Sequence, residues 1–313
     1  MHLYAHAMET WSLVDGRWQP GEIAGASVLW FDVCGFENGD LDALGERFHL
    51  HPLAIEDCKS TMVHAPKIDE FSDHLFVVVH AVVPGPETEE IDIFLGQNFV
   101  ITYRDRDLPG PTAVAGALQQ GMTLRPGADG IVYEVVDRTV DAILPEVNKL
   151  NDRLDEIQQA VLAGAGGDQN HAILDIRSKA GQVRRLLAPQ MSVMQRLSRG
   201  EFKEIIPANQ IYFRDIYDHM IRVDLALEGV REDAEMVMST YLTALNNRLS
   251  EAMKVLSVVG TLALPAVVIA GIFGTNFDSV PGLHSNWGFL VMLLAMGGLA
   301  VGMALYFQRK GWF

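Results

Sequence analysis

The residues best suited to binding an ion lie in a short polar segment between two apolar runs near the end of the chain. The segment, residues 274–287, reads GTNFDSVPGLHSNW, and it contains Thr275, Asn276 and Asp278 but neither Lys nor Arg. Hydroxyl, amide and carboxylate oxygens are the donors that hard cations accept. The net charge of −16 argues against a nucleic-acid partner and permits a cationic one without requiring it.

No set of residues has the spacing of a catalytic site. The sequence contains no Ser–His–Asp arrangement, Gly-rich phosphate loop or HExxH motif, so we do not expect an enzyme. His49 and His51 could bind a metal, although an unassisted His-x-His pair favours a structural or capping role. His284 is interpreted as a pH-sensitive surface residue rather than a weak ligand. Cys34 and Cys58 lack CxxC spacing, which indicates buried or bystander thiols.

Two uncharged runs flank the polar segment and predict membrane spans. Residues 255–273 and 288–307 include no Asp, Glu, Lys or Arg. About 20 helical residues cross the roughly 30 Å of hydrocarbon in a bilayer, and both runs meet that length. The alternative is a buried helical hairpin in a soluble core, and two adjacent uncharged runs of this length argue against it. The N-terminus does not have the pattern of a signal peptide, so we expect the C-terminal hairpin to direct insertion.

Flanking charges orient these spans. Arg248 and Lys254 precede the first span, Arg309 and Lys310 follow the second, and the segment between them carries no basic residue. By the positive-inside rule, both outer flanks lie in the cytoplasm and the polar segment lies outside. We therefore expect a multi-pass protein of the cell (inner) membrane, with both termini in the cytoplasm.

The rest of the chain predicts a mixed α/β domain followed by long coiled helices. Residues 1–125 form the predicted α/β domain, with its regular elements between about Gly25 and Arg104. Farther along, apolar residues recur at heptad spacing, which is typical of coiled helices. Three seams are expected to be buried: Ile143, Val147, Leu150, Leu154, Ile157 and Val161; Ile173, Ile176, Ala180, Val183 and Leu187; and Met220, Val223, Leu227, Val230, Ala234, Val237, Tyr241 and Ala244.

The third of these helices is expected to continue into the membrane, because no Gly or Pro follows its seam until Gly260 and Pro265. Its length of about 60 residues corresponds to about 90 Å. The predicted order is a helical stalk over 126–254, spans over 255–273 and 288–307, an outer loop over 274–287 and a basic tail over 308–313.

Two spans from one chain cannot enclose a water path. The hairpin is therefore either an anchor or one part of a pore lined by several copies. Ser257, Gly260 and Thr261 place small or hydroxyl-bearing groups on the first span, which suits a pore. Small residues also let helices pack closely in lipid, so packing is the alternative role for these three.

Several stretches together resemble one known family. Residues 241–283, YLTALNNRLSEAMKVLSVVGTLALPAVVIAGIFGTNFDSVPGL, are similar to the pore helix and outer loop of the CorA-type divalent-cation (magnesium/cobalt) transporters, whose filter motif is Gly-Met-Asn. HPLAIEDC with PKIDEF, YFRDIYDH and the ending YFQRKGWF resemble further parts of that family in the same order. The resemblance covers nearly the whole chain. It implies an α+β membrane protein that forms a homopentameric funnel in the bilayer.

The resemblance also assigns roles to individual residues. It implies a selectivity filter of Gly274, Thr275, Asn276 and Asp278, and a pore and apolar gate with Ser250, Met253, Leu256 and Leu264. It further implies cytoplasmic regulatory metal sites with Glu56, Asp57, Asp215 and Asp141, and an inner basic collar of Arg248, Lys254, Arg309 and Lys310. Glu56 and Asp57 would face Asp215 of the adjacent subunit, where bound Mg²⁺ would hold the pentamer closed.

Three departures from the family pattern concern the choice of ion. Thr275 replaces the family's Met, Gly282 stands where a second acid often occurs, and Ser250 replaces an Asn. The match of YFRDIYDH favours Mg²⁺, both transported and regulatory, with Co²⁺ as a further cargo and Ni²⁺ or Zn²⁺ possible. The alternatives are a zinc-transporting member of the same superfamily and a non-conducting, membrane-anchored metal sensor or scaffold.

Overall fold

The first structural element is a β-hairpin that the sequence analysis did not predict. The structure is a computed structural model that describes residues 7–35, 39–85, 87–163, 169–276, 280–282 and 285–312. Strands β1 (Ala7–Val14) and β2 (Arg17–Pro20) pair antiparallel around Asp15 and Gly16. Both turn residues have positive φ, 49° and 75°, as a two-residue hairpin turn with the twist of the flanking strands requires.

These two strands belong to a seven-stranded sheet. The others are β3 (Val28–Cys34), β4 (Lys67–Glu70), β5 (His74–Val83), β6 (Glu87–Gly96) and β7 (Phe99–Arg104). Their spatial order is β2-β1-β3-β7-β6-β5-β4, and β3 and β7 pair in parallel while the remaining neighbours are antiparallel. Residues 84–85 follow β5, and residues 97–98 lie between β6 and β7.

Helices cover both faces of the sheet. Helices α1 (Asp40–Phe48) and α2 (Pro52–Lys59) pack Leu41 and Ala54 against Phe31 and Phe94 on one face. Helices α3 (Pro109–Gln119) and α4 (Ala128–Asp141) follow the last strand, and α4 packs on β3, β5, β6 and β7. Every residue of β5 is buried, as expected for a strand covered on both sides. The mixed α/β domain predicted from the sequence is thus confirmed.

A charged pair lies buried within this sheet. The Arg104 guanidinium donates to both carboxylate oxygens of Asp32, from Nη2 at 2.6 Å and from Nε at 3.3 Å. The hydroxyl of Thr102 donates to Asp32 Oδ1 at 2.6 Å, and Nε1 of Trp30 donates to that hydroxyl at 3.1 Å. These hydrogen bonds satisfy a carboxylate that would otherwise be expensive to bury.

Long helices complete the chain. They are α5 (Ile143–Leu162), α6 (Asn170–Ser198) and α7 (Gln210–Phe273). All members of the first two predicted seams are buried, as are the six members of the third from Met220 to Val237. Tyr241 and Ala244, at the end of the third seam, are half-buried. Heptad spacing therefore identified the packed faces as far as Val237.

Helix α7 is unbroken over 64 residues, which confirms its predicted continuation into the first apolar run. Pro265 lies inside it and has no N–H to offer to the carbonyl of Thr261, one turn earlier. Helix α8 (Gly288–Arg309) follows. In the described part of the chain, α7 and α8 are the two helices long and apolar enough to cross a membrane. The chain divides into two compact units, Met1–Met238 and Ser239–Phe313.

Candidate functional site

The polar segment begins where α7 ends. The backbone N–H of Gly274 donates to the carbonyl of Ala270 at 2.9 Å, which closes the last helical turn. The Thr275 backbone N–H donates to the carbonyl of Ile272 at 3.3 Å, and its hydroxyl donates to the same oxygen at 2.8 Å. Asn276 follows as an exposed residue, so its amide is available to solvent. Asp278, the remaining predicted filter residue, lies outside the described residues.

Two glycines bring the end of this segment close to α8. Gly282 has a φ of 88°, a conformation that favours glycine. A Cβ added to Gly288 would lie 2.0 Å from the carbonyl oxygen of Gly282, so that backbone contact requires glycine at position 288. Gly282 therefore has a conformational role at the place where the family often carries a second acid.

The predicted gate residues lie on the outer surface of a single chain. Ser250, Met253, Leu256 and Leu264 on α7 are all exposed, the three apolar side chains by more than half. Exposed apolar groups on a membrane helix contact either lipid or another protein surface. Their position therefore suits a face that is covered when several copies assemble.

The basic residues lie just before the first apolar run on α7 and at the end of α8. Lys254 donates from Nζ to the carbonyl of Gly311 at 3.0 Å, which ties α7 to the C-terminal tail. Arg309 ends α8, and the exposed Lys310 follows it. Arg248 lies earlier on α7 and is exposed. Three of the four predicted collar residues thus stand near one connection between the two helices.

A cluster of acids forms around His219 in the first unit. Its Nδ1 lies 3.5 Å from Asp141 Oδ1 and 4.0 Å from Asp137 Oδ1, and its Nε2 lies 3.5 Å from Asp215 Oδ2. One donor atom from each of Asp137, Asp141 and His219 lies within 4.8 Å of the others, a spacing that could hold a metal ion. The structure thus brings together Asp141 and Asp215, two of the predicted regulatory acids.

Sequence reasoning missed Asp137 and His219 as members of this cluster. The available signal was the spacing, because Asp137 and Asp141 are four residues apart on α4, and Asp215 and His219 are four apart on α7. Residues at i and i+4 lie on one side of a helix. Burial and the neighbouring Asp141 raise the pKa of Asp137 to about 6.

Asp137→Asn is expected to raise the melting temperature by about 2 to 4 °C at pH 7.5 in EDTA, and by less at pH 4.5. Because the folded-state pKa lies above the usual value of 3.8, the fold binds the proton more tightly and loses stability as pH rises from about 4 to 6. Partial exposure limits the effect to about 1 kcal/mol. Thermal melting of the full-length chain measures it, with the exposed Asp155→Asn on α5 as the control. An equal gain at both pH values would contradict this assignment.

The other two predicted regulatory acids lie on α2. Asp57 forms salt bridges with Lys67 at 2.7 Å and with His64 at 3.7 Å, and Glu56 is exposed. The contacts that the structure gives Asp57 are therefore with its own domain, not with Asp215. Whether a second copy places Asp215 opposite Glu56 and Asp57 stays a prediction.

The two histidines of the His-x-His pair serve at helix ends. His49 adopts the left-handed conformation after α1, with a φ of 53°. His51 precedes α2, and its Nδ1 accepts a hydrogen bond from the N–H of Leu53 at 3.3 Å. The capping role is confirmed for His51. Cys58 is buried, Cys34 is half-buried and both are free thiols, as expected.

Comparison with known proteins identifies the class to which this chain belongs. The model of the "CorA-like Mg2+ transporter protein" family matches residues 25–309. YfjQ, a candidate metal ion transporter of Bacillus subtilis, is 35% identical over 286 residues, covering 91% of this chain and 89% of its own length. The cobalt/magnesium transport protein CorA of Thermotoga maritima is 29% identical over 300 residues, covering 92% and 84%.

The chain is also similar, at lower sequence identity, to a zinc transporter and to a protein of solved structure. The zinc transport protein ZntB of Photorhabdus laumondii is 23% identical over 257 residues, covering 79% of this chain and 76% of its own. The complete structure of the CorA magnesium transporter of Methanocaldococcus jannaschii superposes with a TM-score of 0.88, 18% identity and 98% coverage of both chains, which shows the shared fold.

These findings define a divalent metal cation transporter rather than an enzyme. The chain belongs to the CorA-like Mg²⁺ transporter family. Its fold is that of a full-length CorA protein, with a soluble N-terminal α/β domain and two C-terminal candidate membrane helices.

Proposed function

We propose that this chain forms a channel that admits Mg²⁺, and also Co²⁺, down the electrochemical gradient. The observation that carries the proposal is the unbroken helix α7. It bears Asp215 and His219 near its first residue, and the segment Gly274–Thr275–Asn276 follows its last. One helix thus supplies both a candidate metal site and a candidate filter.

The filter is proposed to bind the ion with its water shell. Mg²⁺ loses water reluctantly, so neutral amide oxygens of Asn276 suit a hydrated ion better than a tight carboxylate cage. Thr275 places its hydroxyl against the end of α7, so Asn276 is the first filter side chain exposed to solvent. Asp278 would add negative charge at the mouth and concentrate cations there.

The assembly is proposed to be a homopentamer in the cell membrane, with both termini in the cytoplasm. Its support is the exposed apolar face of α7 with Met253, Leu256 and Leu264, which needs a cover. These side chains would form a constriction that closes by excluding water. The basic residues at the inner helix ends would fix the orientation of the two spans.

The experiment that tests transport is ion uptake by liposomes containing the purified full-length chain. We expect Mg²⁺ uptake when internal Mg²⁺ is low, and competition by Co²⁺ and Ni²⁺ at concentrations similar to that of Mg²⁺. A series including Zn²⁺ separates the cargo choices. Absence of flux for every divalent ion, with internal metal removed, would indicate a non-conducting sensor or scaffold instead.

Asp215→Ala is expected to raise, by about tenfold, the internal Mg²⁺ concentration that half-inhibits uptake. Loss of one charged ligand weakens a bound ion by about 1.4 kcal/mol or more, which is that factor. The control is Glu232→Ala, which removes an exposed acid from the same helix. Unchanged inhibition in Asp215→Ala would place the regulatory metal elsewhere. Partial effects are expected when several acids share one ion.

Zinc is the second candidate cargo, because the similarity to a zinc transport protein extends over most of this chain. Thr275, which departs from the Gly-Met-Asn filter, is where such a preference would arise. Zn²⁺ uptake that exceeds Mg²⁺ uptake in the competition series would favour this second candidate.

A further inference from the structure

A small acidic cavity lies inside the α/β domain, apart from the cluster around His219. Its volume is about 70 Å³, and its walls come from the end of α2, the loop after it, β6 and the end of β7. Four carboxylates outside α2 line it: Glu89, Glu90, Asp92 and Asp105. Ser60, Thr61 and Tyr103 add hydroxyl groups to the walls.

Asp92 is the unusual member of this group. Its exposure is only 4%, and its Oδ1 is buried without a hydrogen-bond partner among the described residues, although its carboxyl group also interacts with Glu90 and the Cys58 thiol. A buried carboxylate oxygen without a donor is costly, by several kcal/mol if the group stays ionised. The cavity that this residue lines offers room for the missing partner.

The cations around the cavity are already paired with other groups. His64 donates its backbone N–H to Glu90 and pairs with it through Nδ1 at 3.2 Å, and Arg106 pairs with Glu89. Lys67 pairs with Asp57 at 2.7 Å. No Lys, Arg or His among the described residues forms a salt bridge with Asp92 or Asp105.

Arg104, the cation nearest to the interior, is likewise engaged. Its guanidinium bonds the carboxylates of Asp32 and Asp107 and the carbonyl of Arg106. Asp92 therefore remains buried without a salt bridge, while Asp105 is exposed and lies near Arg106, which is paired with Glu89. Such a surplus of negative charge favours a bound positive ion.

The chemistry of the neighbouring groups agrees with oxygen ligands. Burial, and then Glu90, raise the pKa of Asp92, while burial together with Glu89 and Glu90 raises the pKa of Asp105 to about 6. Burial also raises the pKa of the Cys58 thiol, so the thiol stays protonated beside Asp92 rather than serving as a thiolate ligand.

We propose that this cavity is a divalent-cation site of the α/β domain, in which Asp92 and Asp105 hold Mg²⁺ or Mn²⁺ together with bound water. Hard cations of this kind use one or two carboxylates and keep several waters, which suits a small cavity lined by acids and hydroxyls. The site differs from the cluster around His219 in every ligand. It does not depend on the proposed ion conduction, since it lies within one domain of one chain.

The test counts Mn²⁺ ions bound to the full-length chain in detergent, by electron paramagnetic resonance of the free ion. Mn²⁺ is titrated alone, as a probe for Mg²⁺. We expect Asp92→Asn to bind one ion fewer per chain than the unaltered protein, and Asp105→Asn to bind that ion about tenfold more weakly. Asp215→Ala should retain the ion that depends on Asp92 and bind the ion of the His219 cluster about tenfold more weakly, and Asp92→Asn with Asp215→Ala should show both changes.

A second measurement guards against a folding defect. Mn²⁺ should raise the melting temperature of the unaltered protein more than that of Asp92→Asn, because ligand binding stabilises the folded state. If Asp92→Asn does not fold, the exposed Asp105→Asn decides the question. An unchanged ion count and affinity in the variants would overturn the proposal and leave a proton shared between Asp92 and Glu90. Liposomes containing Asp92→Asn should still take up Mg²⁺. Failure of this site and failure of the channel proposal are therefore distinguishable.

Discussion

Asn276→Ala is expected to lower Mg²⁺ uptake into liposomes by at least about tenfold. An amide oxygen that binds an ion through its water shell contributes about 1.5 to 3 kcal/mol, as do other hydrogen bonds to charged groups. In an oligomer the substitution removes that contribution from every subunit at once. Asn276 is exposed and directly follows the last hydrogen-bonded turn of α7. We therefore expect its side chain, rather than its backbone, to contact the ion.

The matched control is Asn286→Ala, which removes another exposed amide from the same segment between α7 and α8. Uptake in that variant should stay within about twofold of the unaltered protein, since surface substitutions of this kind change energies by about 0.5 kcal/mol. Equal uptake by Asn276→Ala and Asn286→Ala would remove Asn276 from the filter. A loss that is larger for Mg²⁺ than for Zn²⁺ would further show that the amide acts in ion choice.

Asp32→Ala is expected to destabilise the α/β domain by about 3 to 5 kcal/mol, because it leaves the buried Arg104 guanidinium without its main partner. In a domain of this size, such a loss corresponds to a fall of roughly 10 °C in melting temperature. Differential scanning fluorimetry follows the change directly, because Trp30 belongs to the same hydrogen-bonded network.

Removing both charges should recover part of the loss. The double variant Asp32→Ala with Arg104→Met leaves no unpaired buried charge, and buried pairs replaced by apolar groups are often nearly neutral. The exposed pair of Arg153 and Glu156 supplies the control, and Glu156→Ala should change stability by less than about 1 kcal/mol. A small effect of Asp32→Ala would mean that water reaches Arg104 in the sheet.

Most of the fold could be predicted from the periodic spacing of apolar residues in the sequence. Each seam on α5 and α6 is buried as the heptads predict. Helix α7 runs unbroken into the first apolar run, and neither Gly nor Pro lies between Ala244 and Gly260 to favour a stop. The spans, the coiled helices and the later strands each follow from residue types that recur at a regular spacing over a short stretch of chain. The family resemblance then supplied Asp141 and Asp215, which the structure places around one histidine.

Features that depend on single contacts were not predictable in the same way. The β1–β2 hairpin has a short second strand, and only Asp15-Gly16 signalled its turn. Asp137 joins the His219 cluster because α4 and α7 pack together, which no local pattern encodes. Asp92 reads as an ordinary position in a β-rich stretch, and its burial beside a cavity emerges only from the register of the sheet.

Pro265 has a consequence for how the membrane part of α7 satisfies its backbone. The carbonyl of Thr261 receives no hydrogen bond from Pro265, which has no N–H. The Thr261 hydroxyl donates to the backbone carbonyl of Ser257 at 2.7 Å. Hydrocarbon offers no donor, and an unsatisfied carbonyl there costs several kcal/mol. Within lipid, a donor to this oxygen has to come from a local adjustment of the helix, from water or from a neighbouring helix. The level of Thr261 is therefore a point in α7 where water or a donor from a second protein helix would stabilise the backbone.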